Sequence, residues 1–324
     1  MDFSRGSGSM SPRPIILSRR SIPKSTSGPP GAPTFTGWDV SLRPAFTPTR
    51  TIVCTTQSQF NTAWANLQAG DKLDVQNVTF TGGQLGLLNK NLANWCEIHF
   101  TNCFFGNSAY QLNCVWINNC SKLRFYGGNL TNSAGNGFRV ENSSDITWWG
   151  WYAHDLGGHG GIICGITSGC PRMDFRGEVT RNGGDLSLDP HAEKGTGLHG
   201  LYLGAGSYYV EGTFMVYAHD LPTGAGIEVG NFSRNMVIEC DGRRLTKVAT
   251  QQAGGACLMI WGGNLSNIVV PYVYGENVSR VTETSGLSAH PANSVIVEYG
   301  RSAGTIRLSP TYMVHAGVTY QDCT

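Results

Sequence analysis

Between residues 95 and 310 the chain runs as short apolar segments, each closed by a Gly or Asn turn. Glu97–Phe100, Val115–Ile117, Phe138–Val140, Ile162–Cys164, Leu201–Leu203, Met236–Glu239, Leu258–Ile260, Val295–Glu298 and Thr305–Leu308 follow this pattern. It predicts many short strands. Few two-residue hairpin turns separate them, so a meander is disfavoured; an antiparallel sandwich or propeller is the alternative fold. One stretch differs. Phe60, Trp64 and Leu67 fall at i, i+4 and i+7, one face of a helix over residues 58–68, with Ser58 as N-cap and Gly70 as stop.

The strands also repeat. Tyr152-Ala153-His154-Asp155-Leu156 recurs as Tyr217-Ala218-His219-Asp220-Leu221, and Gly161–Gly165 answers Gly226–Gly230, at a constant offset of 65 residues. Lys122–Gly128 and Asp145–Trp151 share a pattern 23 residues apart, and Met173–Val179 reads the same way. Self-similarity of this kind marks stacked coils. Laid in one register, four rungs meet at a corner: Thr131-Asn132, His154-Asp155, Arg181-Asn182 and His219-Asp220. Ile162 and Ile227 are then expected to point into the stack.

This repeat resembles the pectate-lyase-like superfamily and the tail appendages of bacteriophages, over roughly residues 70–310. The resemblance implies an all-β, right-handed, single-stranded parallel β-helix with coils of about 23 residues. Its short N-terminal helix would cover the first coil, which otherwise exposes unpaired backbone and an apolar lumen. Residues 1–35 are Ser/Pro-rich and aperiodic and read as a flexible lead-in, leaving 36–324 as the β-helix domain. Gly6-Ser7-Gly8-Ser9 reads as an appended linker, with Met10 as the native start.

Composition narrows the partners. Gly is 43 of 324 residues and charged residues are 14%, which favours strands and tight turns over helices. A net charge of +1 gives no reason to expect nucleic acid or an anionic membrane surface. No run approaches the length of a membrane-spanning helix. The N-terminus lacks the apolar core of a secretory signal. With the resemblance, this points to a virion (phage tail) or extracellular setting and to a homotrimer. None of the ten Cys forms a metal-binding CxxC or CxxH pair, so they read as buried thiols. Cys164 and Cys170 are the pair best placed for a disulfide.

Stacked coils repeat at about 4.8 Å, which puts Asp155 and Asp220, two coils apart, about 9.6 Å from each other. Inverting glycosidases separate their carboxyls by about 6.5–9.5 Å to admit a water. Asp155, Asp220, Arg181, His154 and His219 are therefore the candidate catalytic set. The longest interruption, residues 183–200, adds Asp185, Asp189, Lys194 and His199 as substrate-binding candidates, with Trp151 and Tyr202 as sugar-stacking rings. The loops Lys247–Gly254 and Val281–Asn293 are expected to leave the same region. The same residues suit elimination from a uronic-acid chain: Arg181 or Lys194 neutralises the carboxylate, and His154, His199 or His219 takes the proton. Asp185, Asp189 and Glu193 would be the carboxylates for calcium, although no spacing specifies it and no metal site is assigned. A plainer reading makes the His-Asp repeat a turn ladder and His159 and His199 turn residues. Two functions follow: an enzyme that cleaves a bacterial surface or cell-wall polysaccharide (glycoside hydrolase or lyase), or a non-catalytic receptor-binding or structural tail protein.

Overall fold

Alternating burial along each strand puts one set of side chains inside a coil and the other outside. A computed structural model of the protein describes residues 43–81, 83–106, 112–182, 198–204, 206–222, 224–246, 255–261, 263–284 and 291–324. The lead-in 1–35, most of the loop after Asn182 and the loop 247–254 lie outside these residues.

In chain order the first elements are β1 (Arg50–Cys54), α1 (Gln57–Ala65), β2 (Asp71–Gln76), β3 (Thr79–Phe80), β4 (Leu85–Leu88), β5 (Asn91–Phe105) and β6 (Asn113–Asn118). Then come β7 (Ser121–Ser133), β8 (Asn136–Glu141), β9 (Ser144–Leu156), β10 (Gly161–Cys164), β11 (Cys170–Thr180), β12 (Leu201–Leu203) and β13 (Val210–His219). The last are β14 (Ile227–Val229), β15 (Ser233–Arg243), β16 (Ala256–Ile260), β17 (Ser266–Glu276), β18 (Arg280–Thr284), β19 (Val295–Ala303) and β20 (Val318–Cys323). Sheet A runs β1-β2-β5-β7-β9-β11-β13-β15-β17-β19-β20, with β3 also on β5; sheet B runs β18-β16-β14-β12-β10-β8-β6-β4. Successive strands pair in parallel. Each coil thus contributes one strand to each sheet, and the fold is a parallel β-helix.

The lumen is an apolar column. Ile98, Phe125, Trp148, Phe175, Phe214 and Ile238 occupy one register position on successive coils, and all are fully buried. The rings of Phe175 and Phe214 stack at 6.5 Å, and Phe138 of sheet B meets Trp148 at 5.2 Å. Stacking like on like lets each coil supply the apolar surface that the next one buries.

Helix α1 covers the first coil, as the periodicity predicts. It buries Phe60, Ala63 and Trp64, and Phe60 meets Phe80 edge-on at 5.1 Å. Its N-cap is Thr56 rather than Ser58: the Thr56 hydroxyl accepts the Gln59 N–H at 3.2 Å. The helix ends at Asn66, four residues before Gly70.

Sheet A strands are longer than the sequence pattern suggests because bulges carry them through bends. One bulge changes the parity of the tryptophans. Gly150 takes φ +75°, an extra residue enters β9, and Trp151 turns inward to face Gly177. Trp148 and Trp151 are therefore lumen residues at 0% and 1% exposure, while Trp149 faces outward. A sugar cannot stack on Trp151, contrary to its reading as a sugar-stacking ring.

The 65-residue repeat spans two coils: Tyr152 pairs with Glu178, which pairs with Tyr217. It does not hold in sheet B. Gly161 pairs with Leu201, which pairs with Ile227, so the second copy carries one more residue through its corner. Ile227 points into the lumen as expected, but Ile162 lies on the outer face and Ile163 takes the inward place.

All ten cysteines are free thiols and nine are buried. Cys164 and Cys170 are not bonded; the Cys170 thiol donates to the Cys164 carbonyl at 3.3 Å, and burial pushes the Cys164 thiol up to about 12. Gly177 is under a tighter constraint. A Cβ there would stand 2.1 Å from the Trp151 ring. Gly177→Ala is expected to lower stability by about 1–3 kcal/mol through overpacking, read as a shifted urea midpoint.

Candidate active site on the outer face of sheet A

The corner ladder exists, one residue out of the expected register at one rung. Thr131, His154, Thr180, His219 and Arg243 stand side by side on successive coils. The third rung is thus Thr180-Arg181, and Asn182 is buried beyond it. The next residue of each rung adopts the left-handed conformation: Asp155, Arg181, Asp220 and Arg244 have φ of 53°, 52°, 55° and 53°. Asn or Asp tolerates this geometry best, which explains the Asn-rich corners elsewhere.

Charge alternates along this corner. Arg181 forks onto Asp155 at 2.6 and 2.7 Å, and Arg244 onto Asp220 at 2.5 and 2.7 Å. Those arginine hydrogen bonds hold each carboxyl down at about 2. A carboxyl that stays ionised to about pH 2 has no proton to give a leaving group near neutrality. Asp155 and Asp220 thus stand in the ladder as the charged partners of Arg181 and Arg244. His154 and His219 pack beside them, each donating an Nδ1–H to its own Asp at 2.7 and 2.8 Å.

A second row lies two residues inward on the same face. Tyr152, Glu178, Tyr217, Asp241 and Tyr274 occupy one register position on five successive coils. Aromatic and acidic side chains alternate. Glu178 and Asp241 are two coils apart, about 9.6 Å at the strand spacing, with Tyr217 between them. Glu178 receives His219 Nε2 at 2.9 Å. Asp241 accepts two bonds from Arg243, both 2.9 Å, while Arg243 also reaches Glu276 at 3.5 Å. Burial raises the Asp241 carboxyl above the usual carboxylate range against the pull of Arg243, whose charge Glu276 shares.

A third row lies next to it: Trp149, Arg176, Met215, Glu239 and Tyr272. Arg176 lies over the Trp149 ring at 4.0 Å and forks onto Asp174 at 2.8 and 3.0 Å. Burial lifts both Asp174 and Glu239. The face as a whole is a half-buried strip of rings and carboxyls.

His199 and Tyr202 belong elsewhere, at the start and on the outer face of sheet B. His199 is buried, its Nδ1 accepts the Ala225 N–H at 3.0 Å, and its Nε2 pairs with Glu228. His159 Nδ1 accepts the His199 N–H at 2.9 Å, and Asn136 Oδ1 accepts the His159 N–H at 2.9 Å. Asn136, His159 and His199 thus form a turn ladder in which each side chain receives the next coil's backbone. Asp185, Asp189, Glu193 and Lys194 lie outside the described residues. The loop after Thr284 joins sheet B to sheet A and the loop after Asn182 joins sheet A to sheet B; residues 285–290 and 183–197 of them lie outside the described residues. Among the described residues no three His, Cys, Asp or Glu side chains are grouped to hold a metal ion, and no helix is long and apolar enough to cross a membrane.

One member of this ladder, His159, carries a pH dependence. Burial, and then the His199 ring, lower the His159 pKa to about 3. The folded protein thus prefers neutral His159, and its contribution to stability is complete above about pH 6.5 and lost as pH falls toward about 3, at about 1.4 kcal/mol per pH unit. His159→Asn keeps the acceptor without the titration. It is expected to flatten the acid side of a stability–pH curve while matching wild type at pH 7.

Sequence reasoning missed Glu178, Asp241 and Arg243. A usable signal was present: Tyr152/His154, Glu178/Thr180, Tyr217/His219 and Asp241/Arg243 are i, i+2 pairs, the outward period of a strand.

No protein-family model and no curated protein sequence matches the chain. Among solved structures it is similar to pectate lyase Pel9A, with TM-score 0.59 and 16% identity over 85% of this chain and 74% of that one. It is also similar to the alginate lyase from Paenibacillus sp. str. FPU-7, with TM-score 0.49 and 14% identity over 84% of this chain and 98% of that one. At such identity the likeness is one of fold, a pectate-lyase-like parallel β-helix.

Proposed function

We propose that the chain cleaves a polysaccharide laid along the outer face of sheet A, by hydrolysis, with Asp241 as the acid and Glu178 as the base. The observation that carries this reading is the pair itself: two carboxyls two coils apart on one face, near the separation an inverting glycosidase needs. Glu178 takes a proton from water as the water oxygen bonds to the anomeric carbon. The glycosidic C–O bond breaks, and the leaving oxygen takes the Asp241 proton. Unequal environments support the division of roles, since burial favours the protonated form of Asp241. Tyr152 and Tyr217 supply rings at alternate coils for sugar faces. That a pectate lyase shares the fold supports a sugar polymer as substrate.

The test is incubation with capsular polysaccharide, polygalacturonate, alginate and a neutral glucan, read by reducing ends and by the absorbance of unsaturated uronates. Hydrolysis yields reducing ends alone. Unsaturated products would instead assign elimination, and binding without product would assign the receptor-binding alternative. A phage-tail homotrimer is part of the same proposal, and sedimentation at the mass of one chain would remove it.

A further inference from the structure

We infer that His219 is a positioning residue for Glu178, held in place by Asp220 and Arg244, and that this relay makes Glu178 the base of the pair. The inference rests on the functional reading above.

Both nitrogens of the His219 ring face carboxylate oxygens: Nδ1 is 2.8 Å from Asp220 and Nε2 is 2.9 Å from Glu178. Neutral imidazole has one N–H, so both contacts are donated only by the imidazolium. Burial works against that charge, but Glu178 and Asp220 outweigh it and pull the His219 pKa up. Arg244 locks Asp220 from the next coil, and the Tyr217 ring lies 4.8 Å from the imidazole. The groups facing His219 are Glu178 and Thr180 on β11, Tyr217 on its own strand and Asp220 just after it, and Asp241, Arg243 and Arg244 from β15 and the turn after it. His219 takes one oxygen of Glu178. The other has no protein partner among the described residues and is left to receive a proton from water.

The duplicated string provides an internal control. His154 has the same ladder around it: Asp155 at 2.7 Å, Arg181 on that Asp, and the Tyr152 ring at 4.5 Å. At the place on the preceding coil where His219 meets Glu178, however, His154 has Asn129, and its Nδ1 also faces the Thr131 hydroxyl at 3.2 Å. A purely structural ladder would use the two histidines alike. A relay to the base would use only His219.

Two measurements test this. In histidine-ring NMR titrations of the whole protein, Glu178→Gln is expected to lower the pKa of His219 and leave the His154 ring signals unchanged. On whichever of polygalacturonate, alginate, capsular polysaccharide or glucan the wild type cleaves, His219→Gln is expected to cut kcat by about 10²-fold, the cost of a displaced reacting group, and to alter the acid limb of the kcat/KM profile. His154→Gln should do neither. A His219 titration indifferent to Glu178→Gln, or equal effects of the two histidine variants, would overturn the relay. Failure of the functional reading looks different. There, Glu178→Gln and Asp241→Asn would retain full turnover, or the wild type would cleave none of the four glycans. If those two variants are inactive while His219→Gln is fully active, the relay alone is wrong.

Discussion

Asp241→Asn is expected to lower turnover by about 10²–10⁴-fold, the usual worth of acid–base participation, and to melt close to wild type. Asn keeps the volume and one acceptor for Arg243, and Arg243 retains Glu276. The defect should be specific in its pH dependence. Removing the acid abolishes the alkaline limb of the kcat/KM profile, whereas Glu178→Gln abolishes the acid limb. Asp155→Asn serves as the comparison. Its carboxyl sits at the exposed corner under Arg181, and loss of a half-exposed ion pair is expected to cost less than about 1 kcal/mol and no activity. Equal turnover in Asp241→Asn and wild type would remove the sheet A row from the chemistry.

Ile163→Asp and Ile227→Asp are expected to leave no soluble folded protein. Both side chains are fully buried in the lumen, next to the coils above and below. Losing the apolar side chain alone costs about 2–5 kcal/mol. An unpaired buried charge adds more, against a total stability of about 5–15 kcal/mol. Ile162→Asp should be far milder. Ile162 stands on the outer face between Arg139 and Tyr202, at 7% exposure, outside the lumen. Soluble yield and melting curves for the three variants check the register directly. A normal melting curve for Ile163→Asp would contradict it.

Much of this was legible in the chain. Stacked coils depend on nearest neighbours, so a coil's register is written in its own residues and in those one period away. Lys122–Gly128 and Asp145–Trp151 read as adjacent coils from spacing alone, and Ser121 does pair with Ser144. Thr131 beside His154 followed in the same way. Phe60 and Trp64 announced the cap helix because its burial is set by local period. What spacing cannot see is a single extra residue. The bulge at Gly150 reversed the face of Trp151, and one more residue in the corner before Ile227 broke the 65-residue offset that Ile162 was expected to share. With a period of two, one residue is enough to exchange inside for outside.

The sequence by itself determined the architecture, the corner ladder and the burial of the thiols, because these follow from repetition and from which residue types tolerate a left-handed turn. Only the tertiary structure decided which carboxyls share a face and which partners each one meets. Separation alone put Asp155 and Asp220 forward, and the structure adds their partners from the next coil, Arg181 and Arg244. Glu178 and Asp241 carried only the i, i+2 spacing to Thr180 and Arg243 in the chain. They come together only when the coils close and set them two rungs apart on one half-buried face, where burial raises the Asp241 carboxyl and the His219 ring meets Glu178.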